Sequence, residues 1–152
     1  MLLSDLAVVI APLVFGSGGA FIIKNLNDDA DTRPCGAKSK LEPPPWVFAF
    51  AWTILFALQG ICGLLLWRLS ARRLSSPDFR IWLTLTALLV AWWPVFALWC
   101  SPMVAFLSVS GIALFTFYCV WRFWKMNWAG KLLAPLAAWL SFASFLAFES
   151  TK

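Results

Sequence analysis

The sequence predicts an all-α integral membrane bundle of five transmembrane helices, and three observations carry that prediction. Of the 152 residues, 62% are hydrophobic and only 12% are charged, an apolar excess too large for an ordinary soluble domain. The apolar residues fall into five runs, each close to the roughly 20 residues that a helix needs to cross a hydrocarbon core of about 30 Å. The runs lack strand-like alternation, and only helices and closed barrels satisfy every backbone group in lipid.

The helices are expected over residues 6–23, 46–67, 81–99, 103–121 and 132–148. Together they form one domain, residues 1–152, with no room for a soluble unit. "MLLSD" holds no Lys or Arg and carries Asp5, so the first run reads as a retained helix rather than a cleaved leader. Within that helix "FGSGGAF" sets Gly16 and Ala20 one turn apart, with Pro12 on the same stripe. Such a small-residue face lets another backbone approach, inside the bundle or across a dimer. Gln59 is the one amide deep in helix 2. Its side chain must find a partner in low dielectric, by default on a neighbouring helix and otherwise on a ligand. Pro12, Pro94 and Pro135 fall inside helices 1, 3 and 5; each removes one backbone bond and can open space between helices. "LFTFYCVWR", residues 114–122, fits a loose pattern proposed for cholesterol contact, which many membrane helices match by chance.

The formal charge of +5 would suggest nucleic acid in a soluble protein. Here the charges sit in loops, where they set orientation, and no nucleic-acid partner is expected. Arg68, Arg72, Arg73, Arg80, Arg122, Lys125 and Lys131 share the N-terminal side, against Lys24, Arg33, Lys38, Lys40 and Lys152 on the other. That narrow excess places the N-terminus in the cytoplasm of a multi-pass protein, with a bacterial cell membrane as the expected location. Cys35, Cys62, Cys100 and Cys119 show no metal-ligand spacing, and there is no histidine. No metal site is expected, and the usual proximal ligand of haem is missing.

Eleven tryptophans need an account. Trp46, Trp67, Trp82, Trp99, Trp121, Trp124 and Trp128 lie at expected helix ends, where an indole belongs to the interfacial belt. Trp52, Trp92, Trp93 and Trp139 lie inside. At about 1.5 Å per residue these four come to depths of roughly 9–15 Å beneath the long first loop. They could wall a cavity for a flat, greasy ligand, or simply fill the core.

The loop over residues 24–45 ends in "EPPPW". Consecutive prolines favour a stiff polyproline approach, and Pro45 suits a first helical turn because it gives up an N–H already unpaired. The loop is therefore expected to lie as a lid over the inner tryptophans.

"PPPWVFAFAWTILFALQG", residues 43–60, resembles the second-helix signature of the TspO/MBR family, the tryptophan-rich sensory proteins related to the translocator protein. Pro43, Pro44, Val47, Phe48, Trp52, Thr53, Leu55 and Phe56 carry the match. "AWWPVF", residues 91–96, resembles the third-helix block, and "WAGKLLAPLAAWLSFASFLAFE", residues 128–149, the last helix. Leu85, Leu89 and Ala147 stand where the family usually has polar residues, and Ser39, Lys40 and Leu41 also depart from it, which implies a drier pocket. The resemblance implies a membrane sensor or stress protein that binds tetrapyrroles such as protoporphyrin, with sterol or lipid in some members, and that commonly dimerises. By the same resemblance Trp46, Phe48, Trp52, Trp92, Trp93, Trp139 and Gln59 would line the ligand, and Lys38 or Arg33 would meet its propionates. No cofactor is required; porphyrin or haem would be a ligand. The alternatives are a light-dependent porphyrin-degrading enzyme, in which Trp52 and Trp139 are catalytic, and a sterol or lipid carrier.

Overall fold

The computed structural model describes residues 3–26, 43–98, 101–126 and 128–151, and their side chains except at 17–26, 45, 93 and 95–98. The described residues form five α-helices: α1 (Leu3–Leu26), α2 (Pro45–Leu69), α3 (Pro77–Leu98), α4 (Pro102–Phe123) and α5 (Ala129–Glu149). Each begins or ends a few residues beyond its apolar run, because the terminal turns are polar. Asp78 and Arg80 occupy the first turn of α3, and Lys131 that of α5. Proline opens α2, α3 and α4, where its fixed φ and missing N–H are tolerated. Pro44 before α2 is extended, with φ −56° and ψ 148°, the polyproline geometry expected there.

α2, α4 and α5 are long and apolar enough to cross a membrane; in α1 the described apolar stretch is Leu3–Gly16. Around the bundle the order is α1, α2, α5, α4, α3, and α2 also touches α3. Large apolar side chains cover the outside, among them Phe15, Phe50, Leu107, Leu114 and Trp121, each more than half exposed. An outward apolar surface of this extent is stable against lipid rather than water.

α1 and α2 approach closely through glycine. A Cβ at Gly60 would meet the carbonyl of Val9, and one at Gly16 would meet the ring of Phe56. Gly16 therefore serves packing within the chain, whereas Ala20 lies outside the residues whose side chains are described.

The N-terminal end of α1, the α2–α3 turn and the α4–α5 turn share one end of the bundle, tied by ion pairs. Asp5, 1% exposed, accepts from Arg68 Nη2 and Arg72 Nε, both at 3.2 Å. Arg122 of α4 reaches Asp78 of α3 at 2.9 Å. The turn after α2 closes with the amide of Arg72 on the carbonyl of Trp67 and that of Ala71 on Arg68. This is a Schellman arrangement, with Ala71 left-handed at φ 50° in the place usually held by glycine. It brings Arg72 back toward Asp5.

The tryptophan belt is smaller than expected. Trp46, Trp121, Trp124 and Trp128 are exposed, but Trp67 and Trp82 are buried at 8% and 1%. Phe79 stacks on Trp82 with centroids 5.3 Å apart and tilts against Trp67 at 4.8 Å. Trp82 Nε1 donates to the carbonyl of Gln59 at 3.0 Å, and Gly63 leaves room for its ring. Trp82 points inward because the α2–α3 seam offers it both a gap and an acceptor, whereas Trp67 is held by its ring contact with Phe79 and its buried N–H has no hydrogen-bond partner. Trp99 lies outside the described residues.

Candidate functional site

Phe48, Trp52 and Phe56 recur every fourth residue and so share one stripe of α2. At its upper end Phe48 meets Trp139 of α5 edge-on, with centroids 5.3 Å apart and planes at 72°. Trp139 tilts in turn against Phe142 at 5.7 Å. Lower down, Trp52 stacks on Phe56 at 5.2 Å and 26°, and Phe56 lies over Gly16 of α1. Trp52 and Phe56 are buried, whereas Phe48 and Trp139 are partly buried at the edge of the same core.

Beside Trp139 a groove of about 540 Å³ runs between α2 and α5. Phe50, Ala51, Ile54 and Leu55 form one wall, and Pro135, Ala138, Trp139 and Phe142 form the other. Every one of these side chains is apolar apart from the indole N–H of Trp139, which is buried without a hydrogen-bond partner. Phe50 and Ile54 are 64% and 43% exposed, so the groove opens on the outer face of the bundle. Pro135 withholds one backbone donor at its wall.

This arrangement differs from an enclosed cavity ringed by four tryptophans. Trp52 and Trp92 belong to the core or pack against it and do not line the groove. Trp46 is 71% exposed at the start of α2, outside the groove. The side chain of Trp93, together with Arg33, Lys38 and most of the first loop, lies outside the described residues. Of the wall residues, the sequence singles out only Trp139 as a ligand contact; it does not single out Phe50, Ala51, Ile54, Leu55, Pro135, Ala138 or Phe142. Phe50 and Ile54 form a second stripe of α2, four residues apart and facing a proline in α5. Only the contact between α2 and α5 turns that spacing into a groove.

Gln59 is fully buried and donates through Nε2 to Thr86 Oγ1 of α3 at 3.0 Å. It lies seven residues beyond Trp52, about 10 Å along the helix. Thr86 Oγ1 also donates to the carbonyl of Trp82, so it keeps a partner if Gln59 is removed. Gln59→Leu is therefore expected to lower stability by less than about 1 kcal/mol. Thermal unfolding in detergent checks this.

A model of the TspO/MBR family matches residues 8–151. The chain belongs to the TspO/MBR family. It is 30% identical over 111 residues to the tryptophan-rich sensory protein of Cereibacter sphaeroides, covering 72% of this chain and 68% of that protein. It is also 28% identical over 116 residues to the tryptophan-rich protein TspO of Chlorobaculum tepidum, covering 73% and 72%. Against the TspO of Archaeoglobus fulgidus it is 26% identical over 151 residues, covering 97% and 94%. TspO/MBR membership and the apolar helices together make this an integral, multi-pass membrane protein.

Within this TspO/MBR chain, two of the three polar-to-apolar departures lie in the core, Leu85 at 0% and Leu89 at 3% exposure. Ala147 packs partly buried against the same cluster, and Ser39, Lys40 and Leu41 lie outside the described residues. Among the described residues, Cys62 and Cys119 are buried in the core and Tyr118 is exposed on α4. None of the three lines the groove, and Cys35 and Cys100 lie outside the described residues.

Proposed function

We propose that this protein is a membrane sensor that binds a flat tetrapyrrole such as protoporphyrin against the aromatic seam of α2 and α5, with all five helices crossing the membrane. The observation that carries the reading is the Phe48–Trp139 pair at the edge of an apolar groove of about 540 Å³, within the roughly 300–1,000 Å³ range of small-molecule sites. A macrocycle would be held there by dispersion and stacking against the apolar walls. The name of one relative, a tryptophan-rich sensory protein, supports the sensor part of this reading. The excess of basic side chains at the α1 N-terminal end favours a cytoplasmic N-terminus.

Titration with protoporphyrin in the dark, followed by tryptophan quenching, tests the reading. Saturable quenching is expected, with Trp139→Ala weakening affinity about tenfold, which corresponds to about 1.4 kcal/mol. Absence of saturation up to tens of micromolar would sink it. A second reading, a sterol or lipid carrier, is favoured by the apolar lining of the groove and by buried Leu85 and Leu89. A sterol that occupies the groove while protoporphyrin does not would establish that reading. Illumination of the porphyrin complex adds the enzymatic arm: loss of porphyrin with repeated turnover, abolished in Trp139→Phe, marks degradation.

A further inference from the structure

The α4–α5 end of the bundle holds a second concavity of about 640 Å³, remote from the α2–α5 groove in lining and in chemistry. Phe117, Val120, Trp121 and Trp124 give it an apolar floor, and Arg122 and Lys125 a basic rim. Both α4 and α5 are long and apolar enough to span, so their junction lies at a membrane surface. Trp121 and Trp124 are 74% and 51% exposed there, at the level where indoles meet headgroups.

The charge of this end is unbalanced. Seven basic side chains gather around two carboxylates, Asp5 and Asp78, and Asp5 is already shared between Arg68 and Arg72. Asp78 takes Nε and Nη2 of Arg122 on a single oxygen, at 3.0 and 2.9 Å, which leaves the Nη1 edge of a half-exposed guanidinium. Lys125 is exposed and has no ion-pair partner among the described residues. Lys131 adds a further cation, its Nζ 4.0 Å from the centroid of Trp128 and 6.0 Å from that of Trp124. Attraction to the C-terminal dipole of α4 accounts for basic residues at that position. It does not account for an aromatic floor beneath them that continues onto the lipid-facing surface at Phe117 and Leu114, 50% and 72% exposed.

We propose that this concavity seats an anionic phospholipid, with its phosphodiester against Arg122 and Lys125 and an acyl chain along Phe117 and Trp121. A free phosphate would use the basic rim but gain nothing from the floor. A zwitterionic lipid would use the floor but bring a choline or amine against two cations.

The test is a titration of the full-length protein in detergent with phosphatidylglycerol or phosphatidylcholine carrying brominated chains, read as tryptophan quenching. Phosphatidylglycerol is expected to bind at least about fivefold more tightly, the effect of roughly one charge at a membrane surface. Lys125→Gln should lower phosphatidylglycerol affinity about fivefold, and Arg122→Gln with Lys125→Gln should bring the two lipids within twofold of each other. Arg122 also ties α4 to α3 through Asp78, so the Lys125 single variant, which breaks no ion pair, keeps the result independent of folding. Arg73→Gln with Arg80→Gln removes equal charge from the same end and should leave the preference within twofold. An equal loss in both double variants would overturn the site in favour of a diffuse field. Equal affinity of the wild type for the two lipids would overturn it outright. Displacement by millimolar inorganic phosphate, beyond that seen with chloride at matched ionic strength, would reassign the rim to free phosphate. Protoporphyrin binding is measured separately and is expected to be unchanged in every variant.

Discussion

Gly60→Ala is expected to destabilise the bundle by about 2 kcal/mol, while the same substitution at Gly111 is expected to be neutral or to stabilise by up to about 1 kcal/mol. At Gly60 the added methyl meets the backbone carbonyl of Val9, which cannot rotate away as a side chain could. Relief requires α1 to move off α2, and that movement would also lift Gly16 from the ring of Phe56. At Gly111 nothing lies within 4 Å of the added carbon, so only the better helix propensity of alanine remains. Thermal unfolding of both variants in the same detergent checks the prediction, because the two shifts must differ in sign or in size. Similar destabilisation at both positions would mean that α1 does not lie on α2 through Gly60. The variant should also loosen Trp52, whose stacking partner is Phe56.

Removing Arg68 and Arg72 together is expected to cost about 3 kcal/mol, because it strips both guanidiniums from a carboxylate that is 1% exposed. The opposite change, Asp5→Asn, should cost only about 1 kcal/mol. The two guanidiniums are half exposed and can turn to water, so their loss of a partner is largely compensated. Combining all three substitutions should recover most of the stability lost in the double variant, since no buried charge remains. Unfolding midpoints of the three variants and the wild type give this cycle directly. Equal losses in Asp5→Asn and in the arginine double variant would mean that Asp5 is hydrated rather than buried.

The helical class, the five elements and their approximate limits follow from the sequence alone, because the period and length of apolar runs are local properties. The same holds for the proline-opened start of α2, where φ restriction acts within the chain itself. Helix ends were legible only to within a turn: Asp78, Arg80 and Lys131 interrupt apolar runs without interrupting the helices that carry them.

Which face of each helix turns inward was far less legible. Composition near a helix end assigns Trp67 and Trp82 to the interface, but α3 packing on α2 gives Trp82 an acceptor at Gln59 and a gap at Gly63. Asp5, which lies near the chain terminus, becomes a buried acceptor only when the α2–α3 turn folds over it. Phe48 and Trp139 were both identifiable as candidate ligand contacts, although 91 positions apart. Their edge-on contact and the groove beside it exist only because α5 lies next to α2 in the bundle. Hydropathy, helix starts and charge asymmetry are written along the chain, where neighbouring residues determine them. Contacts between α1 and α2, α2 and α3, and α2 and α5 depend on shape complementarity between distant segments, and they decide where the indoles point, what they pack against and which charges are buried.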